Sequence, residues 1–103
     1  MGTDGTMIIE RKLTDGFWEP IGVLSLPRNY ALFDAMRECG YTGYPSDIDE
    51  LSKNILDTNE EWGEGYMSYK EWVKLLKEHH WKYLNTIKKK YYDDCRIIYR
   101  FDC

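Results

Sequence analysis

The sequence lacks most of the features that assign a chain to a chemical class on inspection. It has no G-x-x-x-x-G-K-[ST], G-x-G-x-x-G or H-E-x-x-H, and none of its serines sits in G-x-S-x-G or S-x-x-K. Phosphate-cradling loops, a helical zinc pair and a familiar serine nucleophile are therefore unsupported. Its three cysteines, Cys39, Cys95 and Cys103, are odd in number and show no C-x-x-C spacing. Neither a disulfide framework nor a zinc knuckle is indicated, and a reducing compartment is the simplest setting. No apolar run approaches the roughly 18 residues of a membrane span, and the N-terminus lacks the basic and apolar regions of a signal peptide. Positive charge is also short. The net charge is −4 and the pI about 5.1, against a general binder of nucleic-acid backbone, which needs a basic surface. Lys88 to Lys90, with Arg96 and Arg100, leave room for a local anion site.

Aromatic residues are abundant: they make up 16% of the 103 residues, with four Trp and nine Tyr. That length accommodates one domain with one core, and a few large side chains can fill it. Residues 1–6, "MGTDGT", precede a second Met and read as a leader or an appended segment, leaving 7–103 as a single domain. From Met7 to Leu13 apolar and polar residues alternate with the period of a strand. Asp15-Gly16 supplies a turn, and "FWEPIGVLSL" resumes extended character, which predicts a β-hairpin with Pro20 at an edge or bulge.

Leu32, Ala35, Met36 and Cys39 recur at helical spacing, opened by Asn29 or Arg28 and ended by Gly40. Ser46 precedes "DIDELSKNIL", a second short helix with Ile48, Leu51 and Ile55 on one face. A polar, Gly-containing stretch covers 57–65. Ser68 and Glu71 then form a capping box for the longest helix, whose face of Trp72, Leu76, His79, Tyr83 and Ile87 runs to about residue 90. "CRIIYRFDC" alternates again as a closing strand beside the hairpin. The sum is an α+β fold: a small antiparallel sheet, made of the N-terminal hairpin plus the C-terminal strand, with about three helices packed on one face.

The segment "GEGYMSYKEW" resembles the second half of an EF-hand loop. With Glu71 at position 12, Met67, Gly65 and Glu64 fall on positions 8, 6 and 5, but Trp62 occupies position 3 and Glu60 position 1. Starting at Asp57 instead, Asn59 and Glu61 fit, but Trp62 replaces the Gly and Ser68 the Glu. Each register holds half a site, so a degenerate calcium-binding module is an alternative rather than the main reading. His79 and His80 are adjacent on a helix and point about 100° apart, so they cannot share a metal. Carboxylate pairs such as Asp93 and Asp94 are open to acid–base work, but without a motif around them. No cofactor, metal or catalytic residue is therefore assigned.

Trp18, Tyr41, Tyr44, Trp62, Tyr66 and Tyr69 fall in or near predicted loops, where a core cannot use them all. Aromatics beside Arg or Lys suit a base-stacking pocket or a protein–protein hot spot. Arg28, Arg37, Arg96 and Arg100 are candidates for phosphate contacts.

Three stretches carry a resemblance: "GFWEPIGVLSLPRNYALFDAM", then "GYPSDID" with "EWGEGYMSYKEWVKLL", and "CRIIYRFDC". Their order of hairpin, "YALF" helix, Trp-Gly turn and closing strand is similar to a family of small, largely uncharacterised proteins of tailed bacteriophages and prophages. The family often carries His residues before its last long helix, where this chain has "GEGYMSY". The resemblance implies a phage origin, a host-cytoplasm location and accessory work. Such proteins commonly antagonise bacterial immunity by binding an effector complex or sequestering a nucleotide signal.

The resulting expectation is a non-enzymatic counter-defence protein whose partner is a host defence protein or a nucleotide second messenger. Neither general nucleic-acid binding nor a membrane enters this reading. Trp18, Arg28, Tyr30, Trp62 and Tyr66 are the candidate ligand-binding residues, with rings stacking on a base and Arg pairing a phosphate. A pocket shared between subunits would make the chain a homo-oligomer. A small nucleotide-hydrolysing enzyme is the remaining alternative.

Overall fold

A computed structural model describes residues 4–26, 29–56, 63–79, 90 and 93–102. Strand β1 (Asp4–Lys12) and strand β2 (Trp18–Leu26) form the expected antiparallel hairpin. Its turn needs Gly16 at φ 91°, a conformation that costs other residues a Cβ clash. The Asp15 carboxylate braces it by accepting from the Phe17 N–H at 3.0 Å. The register slips between Ile9 and Glu10, opposite Pro20, so the bulge falls where Pro20 was placed. β1 begins three residues before Met7: Gly5 and Thr6 pair with Phe101 and Arg100. Residues 4–6 are thus part of the sheet, and their Gly- and Thr-rich composition hid a strand that pairing on both sides imposes.

Strand β5 (Cys95–Asp102) closes against β1 and is the middle of a five-stranded sheet. On its other side it pairs with β4 (Glu64–Ser68), which pairs in turn with the two-residue β3 (Tyr41–Thr42), giving the order β2-β1-β5-β4-β3. Every residue from Cys95 to Phe101 is buried, because β5 has a neighbour on each edge and packing on each face. Its odd-numbered side chains, Cys95, Ile97, Tyr99 and Phe101, join the main core. Ile98 points the opposite way, against Ile8 and Leu56.

Helix α1 (Tyr30–Cys39) has the predicted ends: Asn29 Oδ1 accepts from the Leu32 N–H at 3.1 Å, and the Gly40 N–H closes on the Met36 carbonyl at 2.9 Å. Helix α3 (Tyr69–Glu78) is capped by Ser68, whose hydroxyl accepts from the Glu71 N–H at 3.2 Å. Leu32, Phe33 and Met36 of α1 and Trp72, Val73 and Leu76 of α3 fill the main core over one sheet face. The predicted continuation of α3 through Tyr83 and Ile87 lies outside the described residues.

Helix α2 (Glu50–Leu56) departs from expectation in start, phase and side. It opens after Asp49, whose carboxylate accepts from the Leu51 N–H at 3.0 Å, while Ser46 lies in the preceding turn. Ser52 and Leu56 are buried, and Leu51 and Ile55 stay exposed at 56% and 39%. Ile48 reaches the core from the turn, so it is not in helical phase with Leu51. α2 packs with Ile8 and Ile98, on the face opposite α1 and α3. The single helical face thus holds for two of the three helices.

The EF-hand-like segment is also a correction. Residues 64–68 are extended and paired, and Gly65 is not in the left-handed region that the sixth position of a calcium loop needs for its sharp turn. The left-handed residue here is Gly63, at φ 92°. A β-strand followed by a capped helix accounts for the matching residues 64–71. Residues 57–62, the first half of either register, lie outside the described residues.

Candidate functional site

The most elaborate chemistry begins with a charged residue in an apolar strand. Glu10 follows Met7, Ile8 and Ile9 in β1, and its side chain is fully buried. A lone buried carboxylate is prohibitively costly, so a partner is required. Arg96 supplies it from β5, where the register sets the two residues opposite each other. Arg96 Nε donates to Glu10 Oε1 at 2.9 Å, and Nη2 lies 2.7 Å from the same oxygen. The other carboxylate oxygen accepts from the Asp49 N–H at 3.0 Å, which ties the turn before α2 to the sheet.

The guanidinium is engaged on its outer side as well. Nη1 donates to Asp47 Oδ1 at 2.8 Å and Nη2 to the Asp47 carbonyl at 3.3 Å. Trp18 Nε1 donates to the second Asp47 oxygen at 3.0 Å. The Trp18 ring lies flat on this assembly, with Arg96 Cζ 3.8 Å from a ring centroid and Lys12 Nζ 5.9 Å from one. The hydrogen bond from Arg96 is the main cause holding the Asp47 carboxyl below the usual carboxylate range. With its folded value lowered, Asp47 contributes stability at neutral pH that is lost as pH falls through that value.

A cleft of about 530 Å³ opens beside this network, at the end of the sheet where β4 finishes and β5 starts. Trp18, Tyr41, Tyr66 and Arg96 line it, with Asp93 and Asp94 at its rim. Tyr41 and Tyr66 are opposite each other on β3 and β4, and their rings stack with centroids 5.1 Å apart. Tyr41 is 69% exposed, so its outer face is open. The Lys12 N–H donates to the Asp94 carbonyl at 2.8 Å, which fixes the acidic rim against the hairpin.

Of the predicted ligand-binding residues, Trp18 and Tyr66 meet in this cleft. Tyr30 does not: it is an exposed residue at the start of α1. Arg28 and Trp62 lie outside the described residues. Trp18 also differs from its expected role, because Arg96 already covers ring surface that a base would use. Arg96 is likewise no phosphate receptor while two carboxylates hold it. Arg37 pairs with Asp34 at 3.0 Å and lies over the Phe101 ring at 4.9 Å. Sequence reasoning missed Glu10 and Asp47, although a charged residue at an inward strand position was a signal that a counter-charge must exist.

The described thiols differ in chemistry. Cys39 is exposed and Cys95 is buried. Burial, reinforced by the Asp94 carboxylate, pushes the Cys95 thiol up to about 11. In a Cys103→Ser background, iodoacetamide at about pH 8 should alkylate Cys39 quickly and Cys95 only after denaturation, since the thiolate is the nucleophile. Peptide mapping of the labelled sites checks this, and equal labelling of both in native protein would show that the start of β5 opens readily.

No helix among the described residues is long and apolar enough to cross a membrane. Among them no group of three or more His, Cys, Asp or Glu is placed to hold a metal ion. No family model, curated protein or solved structure matches this chain.

Proposed function

We propose that the chain is a non-enzymatic phage counter-defence protein that neutralises a host immune complex by occupying the surface where that complex holds nucleic acid. The observation that carries this reading is the electrostatics of the aromatic cleft. Arg96 is committed to Glu10 and Asp47, and Asp93 and Asp94 stand at the rim. An acidic aromatic surface complements a basic groove, and charge complementarity of this kind governs both encounter rate and selectivity. The net charge of −4 points the same way. The resemblance of three stretches to tailed-phage accessory proteins supplies the biological setting, a host cytoplasm.

The nucleotide-sponge version has one observation in its favour, the exposed ring of Tyr41 stacked on Tyr66. Its phosphate side is weak, because a polyphosphate in this cleft would face the carboxylates.

The test is expression of the chain in bacteria that each carry one defence system, followed by phage plating. The expected result is restored plating on at least one defended host, with the co-purified effector no longer binding its nucleic acid. Failure on every defended host would reject the reading. Stoichiometric release of an intact nucleotide from the denatured protein would replace it with the sponge.

A further inference from the structure

We infer that the outer edge of β2 is the interface of a twofold dimer, in which the segment Gly22–Leu26 pairs antiparallel with the same segment of a second copy. This does not depend on the proposed function, and it concerns the edge of the sheet remote from Tyr41 and Tyr66.

β2 is an edge strand of nine residues, and no described strand pairs with its outer side. The Lys12 N–H points to the β5 side, where it donates to the Asp94 carbonyl at 2.8 Å. Alternation along β1 turns Ile8 and Thr6 the same way, so their β2 partners, Val23 and Ser25, turn N–H and C=O outward. Pro20, opposite Glu10, obeys the same parity: the residue with no N–H to give sits where β1 needs none. Open edges are usually guarded by charge, proline, bulges or shortness. β3 is guarded by its length of two residues, and the first half of β2 by Pro20, the bulge and the Arg11–Glu19 ion pair. Gly22–Leu26 has none of these guards.

The α2 side of the sheet extends the same surface. Val23 is opposite Ile8 and so projects on the face that α2 covers, where it is 52% exposed. α2 lies over β1 and β2 and runs from Asp49, bonded to Glu10, to Leu56, packed on Ile8, so it is antiparallel to β1. β2 and β3 are parallel and joined through α1 on the opposite face, a crossover whose sense is right-handed. That sense, with the right-handed winding of α2, turns Leu51 and Ile55, each one position ahead of a buried residue, toward β2. Val23, Leu51 and Ile55 thus form an apolar strip along the open edge, three of the six large hydrophobic residues exposed among the described residues.

A second copy is the occupant these features select. Antiparallel self-pairing sets like beside like, which a charged strand resists, and residues 20–26 carry no charge. Centred on Leu24, the pairing sets Val23 against Ser25 of the copy, so the outward N–H and C=O of both residues are all bonded. The twofold axis places the second α2 on the same face as the first, and their apolar flanks look at each other across it. With β3 too short to pair, assembly stops at two copies.

The experiment is sedimentation velocity of the full chain over a dilution series, with amide hydrogen exchange followed by NMR at both ends of the series. Wild type should be a dimer when concentrated and a monomer when dilute, and the Val23 and Ser25 amides should exchange more slowly in the dimer. Val23→Lys and Val23→Glu should each weaken association by at least about tenfold, with circular dichroism unchanged because Val23 is exposed. In equal mixture the two variants should dimerise again, since residues 23 of the two copies are diagonal neighbours within reach of long side chains. Tyr41→Ala, on the opposite edge, should associate like wild type. A wild type that stays monomeric, a dimer that Val23→Lys does not weaken, or a mixture of the two variants that stays monomeric would each overturn the inference. Open-ended assembly, or unslowed exchange of both amides in the dimer, would overturn it equally.

Discussion

Replacing Arg96 with Met is expected to lower the unfolding free energy by about 3–5 kcal/mol, the usual consequence of stripping one partner from a buried ion pair. Met keeps the length of the stem and removes the guanidinium, so Glu10, with a fully buried side chain, loses the donors at 2.9 and 2.7 Å. The Asp49 N–H remains at 3.0 Å but cannot neutralise a carboxylate. Domains of this size have only about 5–15 kcal/mol in total, so the loss is a large share of the stability and should move the unfolding midpoint to clearly lower urea. Lys at this position should recover little, because a point charge cannot bond Glu10 and Asp47 together while lying flat on Trp18. The informative companion is Arg96→Met with Glu10→Gln. Removing the orphaned charge should return part of the loss, and a double variant less stable than the single one would show that Glu10 does not depend on Arg96. Urea unfolding followed by Trp fluorescence measures all three.

Gly65→Ala is expected to cost about 1–3 kcal/mol, the range for inserting a carbon into a filled core. A Cβ on Gly65 would stand 2.7 Å from the Tyr41 carbonyl oxygen, 2.7 Å from Tyr99 Oη and 2.8 Å from Tyr99 Cε2. One of these is backbone of the neighbouring strand and cannot swing aside. Gly40 is confined similarly, with the Met36 carbonyl at 2.9 Å and the Tyr66 carbonyl at 3.0 Å from its virtual Cβ. The two glycines leave a slot for the Tyr99 ring, whose hydroxyl donates to the Met36 carbonyl at 2.8 Å and so fastens α1 to the middle of the sheet. Tyr99→Leu should be destabilising alone, yet combined with Gly65→Ala it should cost less than the sum, because two of the three contacts disappear. Strict additivity would place the strain at the Tyr41 backbone alone. Burial also raises the Tyr99 phenol. Its stabilising contribution is complete below about pH 10, the ordinary phenol value, and declines as pH rises past it.

The features legible in the sequence were those with local signals. The Asp15-Gly16 turn, the Asn29 and Gly40 ends of α1, the Ser68 cap and the alternation of β5 each lie within a few residues, and the structure carries each of them. What was not legible depended on distant partners. β4 reads as a polar Gly-rich turn because Glu64 and Gly65 are poor strand formers; β5 and Tyr99 make them a strand. The phase of α2 turned on where the Glu10 carboxylate anchors Asp49, which no helical periodicity encodes. In the cleft, Trp18 and Tyr66 were visible as surplus aromatics, whereas the Glu10–Arg96 contact joins residues 86 positions apart. Arg96 was legible as a cation, but only its partners show that it is spent.

The central place of β5 also governs how the chain acquires its structure. β1 is synthesised before β5, but its inner edge is completed only by β5, with Ile8 aligned on Ile98 and Glu10 on Arg96. β4 waits for the same strand on its own side. Until the ribosome has released residues 95–102, the hairpin and the β3–β4 pair have no shared ladder. Closing so long a loop costs entropy before any contact returns it, so the final zipping should be slow for a protein of this length. During that interval β1 and β4 each present an unpaired edge, and a nascent-chain chaperone or a second nascent copy would compete with β5 for them.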